Sequence, residues 1–207
     1  MVNGTTDLNA GVSMSARDAD TLEVRHGLWC EPETGEPFSG EVESVHPNGK
    51  LAWRGTLEVG RWHGRFERWF PDGSPHRVAH YEHGKAEGRQ VLWDEDGHKK
   101  WEFTLVDGLQ EGRVTHWHAN GTKQSEGDYV RGKPHGLVIH WYENGVKESE
   151  IHYVEGRREG PWTQWYDNGV TESQGEVRDG KKVGVWVRWD RDGTEASRKE
   201  HGHPGAS

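Results

Sequence analysis

Fourteen histidines and a surplus of carboxylates are the residues of this 207-residue chain whose types could do chemistry. His116 and His140 occupy the same place in neighbouring segments, His80 and His152 share another place, and His116-Trp117-His118 puts two imidazoles on one face of any strand that holds them. A zinc ion needs its histidine ligands about 2.0–2.1 Å away. In the strand arrangement developed below, His116 and His140 fall two strands and about 9–10 Å apart with Gln124 between them, and His116 and His118 about 7 Å apart. Neither spacing closes on one ion, so these histidines are expected as solvated strand residues and no metal or other cofactor is expected. Glu102, Glu126 and Glu150 form one column of carboxylates, and Glu148 and Glu172 another. A glycosidase sets two carboxyls about 5–10 Å apart across a cleft, whereas an open sheet provides no water-excluding pocket. The sequence also lacks a serine nucleophile elbow, a Cys–His arrangement and a phosphate loop. Catalysis is therefore not expected, and no residue is assigned a catalytic role.

The elements that must position these side chains are set by a repeat. Glycines fall every 24 residues at Gly40, Gly64, Gly88, Gly112, Gly136, Gly160 and Gly184. A second column, Gly49 to Gly193, and a third, Gly60 to Gly180, keep the same period, as does a tryptophan column of Trp69, Trp93, Trp117, Trp141, Trp165 and Trp189, with Val45 in the first repeat. Self-similarity of this kind marks a repeat architecture. The second-column glycine always follows Asn or Asp, as in Asn144-Gly145 and Asp192-Gly193, which is a strong hairpin signal because glycine adopts positive φ without steric cost. The third, in segments such as Arg131-Gly132-Lys133, reads as another tight turn. Each repeat is thus two short antiparallel strands. The expected fold is all-β: an elongated, curved, single-layer antiparallel meander of 24-residue hairpins, with roughly 14 strands spanning about 65 Å. Residues 1–20 are expected to be disordered, 21–39 to form a degenerate N-terminal capping hairpin, 40–200 to form the array with repeats starting at 40, 64, 88, 112, 136, 160 and 184, and 201–207 to be a flexible tail. A cap protects an array whose open end strand would invite edge pairing.

Turn type decides which residues share a face. A three-residue loop such as Glu143-Asn144-Gly145 opposes Tyr142 to Val146 and Trp141 to Lys147. In an unbroken register Trp141 then shares a face with Ile139, Ser149, Ile151 and Tyr153, while Val138, His140, Tyr142, Glu148, Glu150 and His152 occupy the other. Trp117 would stand beside Ser125 and Gly127, and Trp165 beside Ser173 and Gly175. Across the strands runs a row of Trp93, Lys99, Trp117, Lys123, Trp141, Lys147 and Trp165, in which lysine stems can cover indole faces at about 0.5–1 kcal/mol each.

Composition narrows the partners. Apolar residues make up only 30% of the chain, yet it holds 12 Trp and 29 Gly in register, which favours an ordered thin fold over disorder. A net charge of −9 removes the counterion-release gain that drives nucleic-acid binding and disfavours anionic membrane surfaces. Cys30 is the single cysteine, so neither an intrachain disulfide nor a cysteine zinc site exists. No signal-peptide or membrane-spanning run is visible, and a cytoplasmic location is expected.

The glycine columns, segments such as Gly136-Leu137-Val138-Ile139-His140-Trp141-Tyr142-Glu143-Asn144-Gly145, and the closing Gly156-Arg157-Arg158-Glu159-Gly160 resemble MORN-type repeats over about residues 21–200. The stretch Gly35-Glu36-Pro37-Phe38-Ser39-Gly40, followed by His46-Pro47-Asn48-Gly49-Lys50, is similar to the bacterial MORN-variant proteins of the YwqK antitoxin-like family. The resemblance implies an elongated antiparallel sheet, a protein- or lipid-contacting role and, in the bacterial variant, neutralisation of a toxin. It departs after the tryptophan, where Phe70, Asp94, His118 and Asp190 interrupt an aromatic pair. The tryptophan column is assigned to the scaffold. Departures from the repeat carry specificity, so Phe70, His116, His140, Tyr142, Trp162, Tyr166 and Trp186 are the candidate partner-binding residues. The expected function is a non-enzymatic scaffold that binds a protein, such as a basic toxin or effector, through one face of the sheet. A lipid-surface module and a carbohydrate-binding aromatic sheet are the alternatives, and self-association through a face or an edge is a further route to a partner.

Overall fold

Asn-Gly and Asp-Gly dictate where the chain reverses. In a computed structural model, which describes residues 16–202, each such turn is the three-residue loop expected: Tyr142 and Val146 face one another, the Tyr142 N–H donates to the Val146 carbonyl at 2.9 Å, and Gly145 takes φ +82°. The opposite reversals are two-residue turns with both central residues at positive φ, as at Arg131 (+50°) and Gly132 (+78°), the geometry whose twist matches flanking strands.

The chain divides into two compact units, Met1–Gly97 and His98–Ser207. The N-terminal unit contains β1 (Arg17–Asp18), β2 (Glu23–Arg25), β3 (Leu28–Cys30), β4 (Gly40–Val45), β5 (Leu51–Glu58), β6 (Arg61–Trp69), β7 (Pro75–Glu82), β8 (Lys85–Ala86) and β9 (Gly88–Trp93). From β4 to β7 each strand pairs antiparallel with the next, and β7 pairs with both β8 and β9. Strand β1 lies parallel to β4 and shields its outer edge, while β2 and β3 form a separate hairpin. That hairpin lies on a sheet face, where Trp29 meets Trp53 and Trp62 edge-on with centroids 6.1 and 5.9 Å away. Leu22, Val42 and Leu57 are the buried centre of this cluster. The disorder expected for residues 1–20 lies mostly outside the described residues; within them, Arg17–Asp18 is a strand and Ala19–Thr21 a turn of 3-10 helix, because β4 offers Arg17 and Asp18 an open edge.

The C-terminal unit is β10 (Lys99–Val106), β11 (Leu109–Trp117), β12 (Lys123–Val130), β13 (Lys133–Trp141), β14 (Lys147–Val154), β15 (Arg157–Trp165), β16 (Thr171–Arg178), β17 (Lys181–Trp189) and β18 (Glu195–His201), each antiparallel to the next. Of the expected tail, His201 ends β18 and residues 203–207 lie outside the described residues.

One expectation is corrected. Trp141 does oppose Lys147, but His140 opposes Ser149, so Glu148 is an extra residue in a bulge. The same slip recurs at Trp69, Trp117, Trp165 and Trp189. A bulge shifts the pairing by one residue and therefore exchanges the faces of everything beyond it. Ser149 and Ile151 accordingly join His140 and Val138, not Trp141, while Glu150 joins Ile139 on the tryptophan side. Ser125 opposes His116, and Gly127 opposes Val114 and Val138. Likewise Ser173 opposes Gln164 and Gly175 opposes Trp162. The small residues thus make room on the valine face, not beside the column tryptophans.

Candidate binding surface

Two rows define the valine face of the C-terminal unit. The first runs Trp101, His116, Ser125, His140, Ser149, Gln164, Ser173 and Arg188. The second runs Val114, Gly127, Val138, Ile151, Trp162 and Gly175, with Trp186 beyond it. Val114, Val138, Ile151 and Trp186 are buried. Trp162 and Trp186 meet edge-on at 5.8 Å, and the Trp186 Nε1–H donates to the Glu176 carbonyl at 3.0 Å. Both indoles also lie under cations, Arg158 over Trp162 at 4.7 Å and Lys182 over Trp186 at 3.8 Å.

Along these rows opens a groove of about 130 Å³, lined by Ser125, Glu126, Gly127, Tyr129, Val138, His140 and Tyr153 among others; the Glu126 carboxylate itself is held by Lys123 and Arg113. The groove exists because Gly127 carries no side chain: a Cβ there would come within 2.7 Å of Val138. Burial pushes the His116 and His140 imidazoles below their ordinary pKa, with the neighbouring His140 adding to the effect on His116, so both are biased towards the neutral form, able to donate and accept one hydrogen bond each. His116 stacks on Trp101 at 5.6 Å. Burial likewise raises Tyr129 and keeps its phenol protonated.

The tryptophan face is occupied differently. Lys99 lies over Trp117 at 5.5 Å, and Lys123 over Trp141 and Lys147 over Trp165 at 5.9 Å each. The same lysines hold the expected carboxylate column: Lys99 reaches Glu102 at 2.7 Å, Lys123 reaches Glu126 at 2.6 Å, and Lys147 pairs with Glu150. Arg113 adds a second bond to Glu126; the Lys123 bond, and then Arg113, hold the Glu126 carboxyl below its ordinary range. These carboxylates are charge-compensated in place.

At four repeats the residue after the tryptophan column, His46, His118, Tyr142 or Tyr166, bonds to the next repeat. The Tyr142 hydroxyl donates to the Trp165 carbonyl at 2.8 Å and the Tyr166 hydroxyl to the Trp189 carbonyl at 3.0 Å. His118 makes the same bond to the Trp141 carbonyl at 2.8 Å and His46 to that of Trp69 at 3.1 Å, which places the proton on Nε2 of each. Burial, then the carboxylates of Glu148, Glu172 and Asp167, raises the Tyr142 pKa and keeps its proton available for donation. Phe70 stacks on His76 at 4.4 Å. The turn asparagines form a second ladder, Asn120 donating to the Glu143 carbonyl, Asn144 to Asp167 and Asn168 to Arg191.

A family model described as the MORN repeat variant matches residues 110–131, 134–155 and 158–179. Residues 110–179 carry three MORN-variant repeats. Each match spans the two strands on either side of one Asn-Gly turn, β11–β12, β13–β14 and β15–β16, in step with the 24-residue period. Repeats of this kind are non-enzymatic modules generally used for binding. No match was found among curated proteins. Among the described residues no helix is long and apolar enough to cross a membrane.

The seven candidate residues separate by position. His116, His140, Trp162 and Trp186 gather on the valine face, whereas Tyr142 and Tyr166 are clasps between repeats, and Phe70 lies in the N-terminal unit. Sequence reasoning passed over Tyr129 and Tyr153, although they stand 24 residues apart and share a wall of the groove. It also passed over Glu58, His63 and His83, which converge in the N-terminal unit. His63 and His83 are 20 residues apart, the same interval at which Glu111 accepts from the Arg131 N–H in a later repeat.

Proposed function

We propose that this MORN-variant protein is a non-enzymatic scaffold that takes a protein partner on the valine face of its C-terminal unit, as an extended segment presenting aliphatic or aromatic side chains. One observation carries the reading: a chain of net charge −9 keeps two whole rows of that face free of carboxylates. The rows instead hold aromatic, hydroxyl and imidazole groups beside an open groove, the mixture that favours interface anchoring. The tryptophan face supports this reading less well, since lysine stems and lysine–glutamate pairs already cover its indoles and neutralise its carboxylates.

The test compares the full chain with a Tyr129→Ala/Tyr153→Ala variant as bait in the native host. A protein retained by the first and lost from the second is then purified and titrated against both. The variant is expected to bind on the order of tenfold or more weakly, as for loss of an aromatic anchor. Equal binding by the two baits would refute the assignment of the face. The family resemblance adds a sharper version, an antitoxin or immunity role against a basic toxin or effector. Co-expression with the product of a neighbouring gene tests it: the wild-type chain should restore host growth and the groove variant should not.

A further inference from the structure

We infer that Glu58, His63 and His83 form a binding site for a divalent first-row transition metal ion, with Zn(II) as its reference ligand. Glu58 ends β5, His63 lies in β6, and His83 occupies the turn after β7. Their ligand atoms all lie within 4.8 Å of one another. Glu58 Oε2 is 3.2 Å from His63 Nδ1 and 3.6 Å from His83 Nδ1, and the two imidazole centroids are 5.3 Å apart. Zinc–ligand bonds of about 2.0–2.2 Å place neighbouring tetrahedral donors roughly 3.3 Å apart, so the carboxylate already stands at coordination spacing from both rings.

A second observation separates this arrangement from an ordinary ion pair. Among the described residues His63 Nδ1 is shielded from solvent and has no hydrogen-bond partner, even though Glu58 Oε2 is 3.2 Å away. The distance suits a hydrogen bond and the direction does not. Donors set at contact distance but not aimed at each other suit a cation between them.

The repeat supplies a third. In other repeats the place of His63 belongs to a capping residue: the Ser39 Oγ accepts from the Val59 N–H at 2.8 Å, Glu111 from Arg131 at 2.9 Å and Glu159 from Asp179 at 2.8 Å. Both members of one such pair are histidine here, beside a glutamate; the next repeat keeps a glutamate, Glu82, without the histidine pair, and the repeats after it have Val106, Val130, Val154 and Arg178. Two imidazoles and one carboxylate suit Zn(II) and its neighbours, and leave a coordination position for water or a donor from a partner. A cleft of about 380 Å³ that includes His63, His80, Tyr81 and Glu87 in its lining gives that position room.

The test is calorimetric titration of the metal-free full chain with ZnCl2, paired with the visible absorption of a Co(II) titration. One ion per chain and the intense bands of four- or five-coordinate Co(II) are expected. Single substitutions His63→Ala and His83→Ala should each weaken Zn(II) binding on the order of tenfold or more, and the double substitution should abolish the Co(II) bands. His152→Ala, outside the cluster, should leave both readouts unchanged. All three side chains keep substantial solvent contact, so circular dichroism of each metal-free variant should match wild type. No uptake by the wild-type chain, or equal uptake by the double variant, would overturn the proposal.

Discussion

Gly175→Ala is the sharpest probe of how the C-terminal unit packs its valine face. Gly175 has no positive φ, so its backbone accommodates an L side chain; only space forbids it. A Cβ would sit 2.3 Å from two ring atoms of Trp186, where ordinary carbon contacts are about 3.5–4.0 Å. The indole must therefore retreat by more than about 1 Å. Retreat strains the bond from Nε1 to the Glu176 carbonyl, about 0.5–1.5 kcal/mol, and the edge contact with Trp162, about 0.5–1.5 kcal/mol. Residual overpacking adds about 1–3 kcal/mol, and the reduced entropy of the unfolded chain returns about 0.4–1 kcal/mol. The expected net loss is about 1–6 kcal/mol, read by urea denaturation with circular dichroism and tryptophan fluorescence. Gly145→Ala is the matched control: its φ is +82° and nothing lies within 4 Å, so only left-handed strain of about 1–2 kcal/mol applies. The decisive comparison is Gly175→Ala/Trp186→Val, in which the smaller side chain vacates the space. The double variant should be more stable than the sum of the two singles predicts by about 1–3 kcal/mol. A Gly175→Ala loss below about 0.5 kcal/mol, or strict additivity in the double variant, would refute the packing argument.

Three further outcomes follow from the same geometry. Tyr142→Phe removes the hydroxyl that donates to the Trp165 carbonyl and should cost about 0.5–1.5 kcal/mol in chemical denaturation; an unchanged midpoint would show that the clasp contributes nothing. Val59 is a β-branched residue at φ 48°, so Val59→Asn should raise stability by about 0.5–1 kcal/mol, and a lowered melting temperature would contradict the strain. His116 and His140 have folded pKa values below the reference of 6.5. The unfolded chain therefore binds more protons as pH falls below 6.5, and the stability present above that pH is lost as pH falls through the folded values. A His116→Gln/His140→Gln variant should show a shallower fall in melting temperature between neutral pH and pH 5; identical slopes would count against buried neutral imidazoles.

What the sequence determined was everything local and periodic. Asn-Gly and Asp-Gly set the three-residue turn because only glycine reaches that φ cheaply, and the turn placed Trp141 opposite Lys147. The lysine cover of the tryptophan column followed from that pairing. The bulge lay beyond reach, since the residues it leaves over, Gln124, Glu148 and Glu172 among them, share no type that announces an unpaired position. That one slip per hairpin brought Ser149 and Ile151 to the valine face beside His140 and Val138, turned the carboxylate column towards the lysines and set Gly127 against Val138. The clasps from Tyr142 and Tyr166 join residues 23 apart, and the convergence of Glu58, His63 and His83 needs strand β5, strand β6 and the turn after β7 to meet. Such contacts depend on how one hairpin seats against the next, a property of assembled strands that no single segment of sequence encodes.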